Sequence, residues 1–510
     1  MNTAEQHQNW LIEPFAVHSA KPFLIDAAQG RILSYGEAGR IAAGIAHLLR
    51  DGGVDTGDRV GFLLNNSLEF ALFYFACLLC GAAATPINTA LHPREIEFLA
   101  THARIKVLVY SPRTAPLVPR SISEGNGVRL WEVRPIGEGG DNLLEAALNI
   151  GGTPGSWAPH ERNILTITFT SGTTGLPKGV VHRAGTLLGN ARAFNEMMNF
   201  GSDRRFLHVM PMAYMAGILN TLLLPYMAGA SVVLAPQFDA RSVLHFWRPV
   251  MEYHADTFWL APTMCAALVR GDRDHSGAEW CRRNVRTVCV GTAPLPKRVA
   301  CDWQAKYGVE LLESYGLSEL LLVSGNSERF ERREGSVGRL IPGVDVEFAP
   351  DGEILVQTPY LMEGYLDYDT GEPNPLPERS AFATGDLGKL DDESNLYITG
   401  RKKDLIIRGG MNISPRSVEE ALLDHPEVVE CAVIGLPHDF YGEEVAAAVK
   451  LRDGKELAHV RPSLEAWCRE RLAPAAIPTR WIEVDHFPTS TNGKIQKSLL
   501  RERLLAGDLA

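Results

Sequence analysis

Short apolar runs alternate with amphipathic stretches through the first 400 residues of the chain. Val60–Leu64, Val107–Tyr110, Ile164–Phe169, Val232–Leu234, Thr257–Leu260 and Val285–Val290 are brief, apolar and rich in β-branched residues, which predicts buried strands. Leu68–Cys80 and Val243–Tyr253 predict helices between them. Such β-α alternation implies parallel sheets covered by helices. Near residue 345 the texture changes. Val344–Phe348 and Glu353–Gln357 are separated by Pro-Asp-Gly, which predicts an antiparallel pair joined by a turn. A further strand, Leu396–Thr399, runs into the charged segment GRKKD at 400–404. Beyond it the pattern resumes as helix Ser414–Leu423, strands Val428–Gly435 and Val445–Leu451, and helix Ser463–Leu472. The expectation is a large α/β domain over 1–402 and a small α+β domain over 403–510.

Two apolar stretches test for a membrane. Residues 70–87 carry no charge and are long enough to span, but Gly81 divides them into a helix and a short strand, Ala82–Ile87. Residues 206–238 contain no Asp, Glu, Lys or Arg, and Pro211, Pro225 and Pro236 break them into short elements. A buried helix flanked by strands accounts for them without lipid.

Composition narrows the class. At 510 residues the chain exceeds one compact core, and 45% apolar with 22% charged residues is ordinary for a globular protein. A net charge of −11 without a basic run argues against nucleic-acid binding. An anionic ligand must therefore meet a local cationic site. The first residues lack a basic segment followed by an apolar core, and eight cysteines in this length make no disulfide framework, so a cytoplasmic setting is expected. Cys77 and Cys80 have metal-like spacing but sit in an apolar helix without a second pair, as buried small hydrophobes would.

The densest chemistry lies at 169–179, FTSGTTGLPKG. An apolar strand ends in glycines, four hydroxyls and Lys178, which suits a loop whose donors surround phosphate oxygens. It is not a Walker A loop, because the Gly-Lys-Ser/Thr ending is missing. Further along come GTAPLP (291–296), ESYGLSE (313–319), FATGDLGKL (382–390), GRKKD (400–404), RGGMNISPRSVEE (408–420) and PTSTNGKIQK (488–497). In this order and near this spacing they resemble the signatures of the adenylate-forming superfamily, which includes acyl-CoA synthetases, peptide-synthetase adenylation domains and luciferases. The likeness covers nearly the whole chain and is greatest to acyl- or aryl-CoA ligases.

The resemblance implies a large N-terminal domain of parallel-rich sheets with a small β-barrel-like subdomain, followed by a small mobile α+β domain. It also implies roles. Thr170, Ser171, Gly172, Thr173, Thr174 and Lys178 would hold ATP phosphates. Gly291, Thr292 and Ala293 would line the nucleotide, Tyr315 would stack on adenine beside Gly316 and Ser318, and Glu319 would ligate Mg²⁺. Ser318 stands where most relatives have Thr, and the hydroxyl is kept. Asp386 would accept the ribose hydroxyls, with Arg401 as a second ribose and phosphate contact. Lys403 takes the hinge position, and Gly409-Gly410 the loop beside the pantetheine arm of CoA. Lys494 would reach the α-phosphate and the substrate carboxylate, where charge builds in the transition state.

The implied reaction joins a carboxylic acid to ATP as acyl-AMP with loss of pyrophosphate, then passes the acyl group to a thiol. The acyl pocket falls on MPMAYMAGIL, 210–219, with Tyr214, Met215 and Gly217. Tyr214 stands where many CoA ligases carry His, and it cannot titrate near neutral pH. No acidic residue is present to pair with an α-ammonium, so the acid is expected to be aryl or aliphatic rather than an α-amino acid. The acceptor is expected to be CoA. A carrier-protein phosphopantetheine shares the same arm and is the alternative, and a ligand sensor on the same fold is a third reading.

Overall fold

The computed structural model describes residues 10–125, 127–138, 142–170, 177–239, 241–273, 275–377, 381–489 and 495–508. Two large sheets form the body of the first domain. The nine-stranded sheet has a wholly parallel centre in the order Leu311–Leu317, Thr287–Val290, Thr257–Leu260, Arg205–His208, Ser231–Leu234, Pro22–Asp26. In the eight-stranded sheet Ile164–Thr170, Ala83–Pro86, Arg59–Leu63, Ile105–Tyr110 and Arg129–Glu132 run parallel, with antiparallel strands beyond Ile164–Thr170. Strands covered on both faces explain the continuous apolar runs in the sequence.

The helix Leu68–Cys80 has the bounds expected from its pattern, and all 13 of its residues are buried. Ser67 caps it by accepting the Phe70 N–H, and Gly81 ends it in the left-handed region at φ 72°. Its even apolarity marks a helix packed on all sides, not a membrane span. The uncharged run 206–238 becomes strand Arg205–His208, a π-helical turn Ala216–Leu223, helix Leu224–Ala228 and strand Ser231–Leu234. Among the described residues no helix is long and apolar enough to cross a membrane. All eight cysteines are free, and Cys77 and Cys80 are buried.

Two helix predictions need correction. Val243–Tyr253 is not one helix but a 3-10 turn, Ser242–Leu244, followed by Trp247–Glu252. Pro249 has no N–H to offer the His245 carbonyl, so the longer helix cannot close there. Conversely, the helix expected at Ser463–Leu472 begins at Leu457 and runs through Pro462 to Arg471. Val460, Leu464 and Cys468 bury one continuous stripe, and that burial outweighs the missing hydrogen bond.

Four antiparallel strands, Asp345–Phe348, Glu353–Gln357, Phe382–Leu390 and Leu396–Arg401, make the sheet that ends the first domain. The second domain has a five-stranded sheet with helices on both faces. Val433, Val445, Ala447 and Val449 face helices Pro415–Leu423 and Leu457–Arg471. Ala432, Ile434, Ala446 and Ala448 face helix Lys497–Ala506. The two-residue alternation of a strand gives this domain two cores from the same two strands.

Candidate active site

Asp386 and Arg401 are 15 positions apart in the chain and directly opposite each other in the antiparallel pair that carries them. Arg401 Nε lies 2.9 Å from Asp386 Oδ1, and the Tyr315 hydroxyl donates to Oδ2 at 2.8 Å. Asp386 is 3% exposed. Burial, and then the Asp386 charge, pushes the Tyr315 hydroxyl well above its ordinary range, so it stays a donor. The cluster presents a carboxylate fixed by two donors, beside an aromatic plane suited to a base.

The candidate phosphate loop lies between two paired strands. Strands Ile164–Thr170 and Lys178–Arg183 pair with Thr170 opposite Lys178, so these two residues stand at its root. Ser171, Gly172, Thr173 and Thr174 lie outside the described residues. Lys178 Nζ sits 4.9 Å from the Tyr365 ring centroid, and the Tyr365 hydroxyl donates to Glu319 Oε1 at 2.8 Å. Tyr365 thus joins the loop lysine to the candidate metal ligand. Sequence reasoning missed it, and the only signal was an aromatic inside a short strand, Gly364–Leu366. His182 Nε2 donates to the Ser318 carbonyl at 2.6 Å. Burial pushes this imidazole down to about 4, so it is neutral and acts as a fixed donor under the Ser318–Glu319 turn.

Gly291 follows strand Thr287–Val290, and a Cβ there would lie 2.9 Å from Ser314 Oγ, which would have to turn aside. Thr292 adopts φ 70°. A second residue missed from sequence is Glu313. It is buried, and burial pushes its carboxyl up to about 7 against the opposing pull of Arg332 and Arg416 and a hydrogen bond from the Leu295 backbone. Arg416 belongs to the second domain, so this carboxyl faces the seam between the domains.

On the acyl side, Asn88 Nδ2 donates to the Tyr214 hydroxyl at 2.6 Å. Asn66 donates to the Met210 carbonyl and accepts the Met212 N–H, which ties the segment to the other sheet. Met215 is buried. Gly217 is required because a Cβ would come 2.0 Å from the Pro211 carbonyl oxygen where the π-helical turn begins.

In the second domain Gly409 and Gly410 have φ 58° and 80°, and the Gly409 N–H donates to the Tyr441 carbonyl. Lys403 lies in the 3-10 turn Lys402–Asp404, where Lys402 pairs with Asp351 at 2.6 Å and Glu353 at 2.8 Å. Lys494 lies outside the described residues. Its flanks are firm: Thr489 bridges Ile495, Gln496 N–H donates to the Pro488 carbonyl, and Lys497 pairs with half-buried Glu419 at 2.6 Å.

Among the described residues no group of three side chains could hold a metal by itself. Glu319 offers one hard oxygen, which fits an Mg²⁺ that arrives with ATP and keeps phosphate and water as its other ligands.

A parallel α/β body with a hydroxyl-rich segment between paired strands, a Tyr-Asp-Arg cluster at its antiparallel sheet and a glycine-paired α+β domain is the arrangement of an adenylate-forming ligase. The chain belongs to the AMP-binding enzyme family, whose model matches residues 13–366, with the AMP-binding enzyme C-terminal domain at 417–494. The long-chain-fatty-acid–CoA ligase FadD13 of Mycobacterium tuberculosis is 31% identical over 93% of this chain and 93% of its own. The malonate–CoA ligase of Arabidopsis thaliana is 28% identical over 94% of this chain and 85% of its own. The crystal structure of ATP-bound MatB from Rhodopseudomonas palustris superposes with a TM-score of 0.85 at 29% identity, covering 97% of this chain and 98% of that one. The chain is an AMP-forming acid–CoA ligase that uses ATP, Mg²⁺ and CoA.

Proposed function

We propose that this ligase activates an apolar monocarboxylic acid, aryl or medium aliphatic and without an α-ammonium, and transfers it to free CoA in the cytoplasm. The observation that carries the acid class is the segment 206–238, which holds no charged residue and supplies Tyr214, buried Met215 and Ile218 around Gly217. A second carboxylate or an ammonium in such surroundings would be left without a counter-charge. Eight free thiols agree with a reducing compartment.

Residues 1–402 form the adenylating body in this reading and 403–510 the moving domain, with Lys403 at the hinge. In the first half-reaction Thr170–Thr174 and Lys178 orient the leaving pyrophosphate, and Glu319 would hold an Mg²⁺ that supplies charge neutralisation there. Tyr315, Gly316, Ser318 and Gly291–Ala293 enclose the base, while Asp386 and Arg401 hold the ribose. Lys494 neutralises charge gathering on the α-phosphate as the carboxylate attacks. Rotation at Lys403 then withdraws Lys494 and brings Gly409-Gly410 beside the thiol's pantetheine arm.

The test is a screen of pyrophosphate release across aryl, aliphatic, dicarboxylic and α-amino acids, with mass detection of thioester on free CoA and on holo-carrier proteins. An apolar monoacid giving CoA thioester is the expected result. A dicarboxylate or α-amino acid as best substrate, or product found on carriers alone, would overturn this reading.

A further inference from the structure

One short strand, Gly364–Leu366, touches both halves of the candidate phosphate site. Its backbone pairs with strand Lys178–Arg183, Gly364 opposite Val181 and Tyr365 opposite Val180. Just before it, the Met362 N–H donates to the Glu319 carbonyl and the Glu363 N–H to the Val181 carbonyl, both at 2.8 Å. The Glu363 carboxylate pairs with Arg183. Just after it, the Tyr368 hydroxyl donates to the Pro177 carbonyl. These contacts fix the segment without the side chain of Tyr365, so its ring and hydroxyl are not needed to hold the strand in place.

That side chain meets two opposite charges. Its hydroxyl donates to Glu319 Oε1 at 2.8 Å, and its ring faces Lys178, with Nζ 4.9 Å from the centroid. A carboxylate oxygen has more than one acceptor direction, so Glu319 can take this bond and still offer a lone pair to a cation. The ring face attracts the ammonium without consuming its N–H donors, which stay available to phosphate oxygens. A carboxylate and an ammonium that both serve phosphate gain from a neutral group between them, because direct pairing would draw each away from its ligand. Half-buried tyrosines commonly find an acceptor as a matter of packing. Packing alone does not explain why one side chain holds both the acid and the base of this site.

We propose that Tyr365 is a positioning residue for acyl-adenylate formation. Its hydroxyl holds the Glu319 carboxylate in place for the Mg²⁺ that accompanies ATP, and its ring holds Lys178 for the phosphates. The proposal rests on the reading of Glu319 and Lys178 given above. It adds that the Mg²⁺ dependence of ATP binding is tuned by a hydroxyl one residue behind the carboxylate, in the way that partners of metal ligands commonly act.

The experiment titrates ATP calorimetrically into the full-length enzyme with no acid substrate present, once in EDTA and then across a series of Mg²⁺ concentrations. Tyr365→Phe removes the hydroxyl and keeps the ring. It is expected to raise the Mg²⁺ concentration needed for tight ATP binding by about tenfold and to leave binding in EDTA unchanged. Tyr365→Leu removes the ring as well, and is expected also to weaken ATP binding in EDTA by about two- to fivefold. Both variants are expected to slow acyl-adenylate formation in single turnover, while thioester formation from pre-made acyl-adenylate stays within a few-fold. A tyrosine that served folding alone would lower both half-reactions together. If Tyr365→Leu folds poorly, the near-isosteric Tyr365→Phe still decides the matter. A shifted Mg²⁺ dependence in Glu319→Gln with an unchanged one in Tyr365→Phe overturns the role of Tyr365 alone, as does an equal loss of ATP binding in Tyr365→Phe with and without Mg²⁺. An unchanged dependence in Glu319→Gln overturns the reading of Glu319 as metal ligand, and this proposal falls with it.

Discussion

Asp386 is 3% exposed and gripped by two donors, whereas Phe440 is 82% exposed, with its ring edge-on to that of Tyr441. The first sits among strands of the large domain whose register sets its partners. The second sits on a hairpin turn at the edge of the small domain. In the proposed mechanism Asp386 meets ATP, and such a group gains from being pre-arranged, because no ordering remains to be done when charge develops. A surface beside Gly409-Gly410, which in that mechanism meets a long, flexible thiol after a domain rotation, can stay open, since its partner covers it only in the second half-reaction. The contrast matches the division of labour proposed between the domains.

The largest effect that bears on this contrast belongs to Lys494. Lys494→Ala is expected to slow acyl-adenylate formation by about 10³-fold, about 4 kcal/mol of transition-state stabilisation, while thioester formation from pre-made acyl-adenylate stays within a few-fold. Single-turnover assays of each half-reaction measure the split, and an equal loss in both would erase the division. Next is Asp386→Asn, which removes the charge that Arg401 faces and weakens ribose recognition. Its kcat/KM for ATP should fall by about 10–100-fold, about 1.5–3 kcal/mol, with CoA kinetics little changed. A matching rise in the KM for CoA would show that the two regions are not separate.

The last expected effect is on stability rather than turnover and lies at the seam. The Glu313 carboxyl is pushed from its ordinary 4.5 up to about 7 by burial, so the folded state holds an extra proton between those values. Stability therefore falls as pH rises through about 4.5 to 7, and the full penalty stands above 7. Arg332, Arg416 and Glu420 are the charges that face it. Glu313→Gln keeps an acceptor for the Leu295 backbone and never ionises. Its stability relative to wild type should rise with pH across that window by about 3 kcal/mol and then level off, as urea unfolding at several pH values would record. A flat difference would mean that Glu313 is not buried in solution and that the seam is open.

Much of the fold was legible because its signals are local. Leu68–Cys80 needed only Ser67, Gly81 and an unbroken apolar run, and Thr257–Leu260 matched its four-residue pattern. Local signals misled where burial overrode them, as in Leu457–Arg471, where a buried stripe carries the helix through Pro462. Asp386 and Arg401 were separately legible as chemistry, but their pairing depends on the register of two strands. Tyr365 and Glu313 gave no such signal. Their places depend on what packs around them: a lysine 187 positions earlier for the first, and an arginine of the other domain for the second.

By itself the sequence determined the class: an apolar strand running into a hydroxyl-rich phosphate loop, then Glu319, Asp386, Gly409-Gly410 and Lys494 in family order. Residue type and spacing suffice there, because the chemistry of phosphate, ribose and thiol restricts which side chains can serve. Only the tertiary structure decided that Tyr365 links Lys178 to Glu319 and that Glu313 is buried at the seam. Those facts follow from strand register, burial and long-range packing, which belong to the assembled surroundings and leave no periodic trace along the chain.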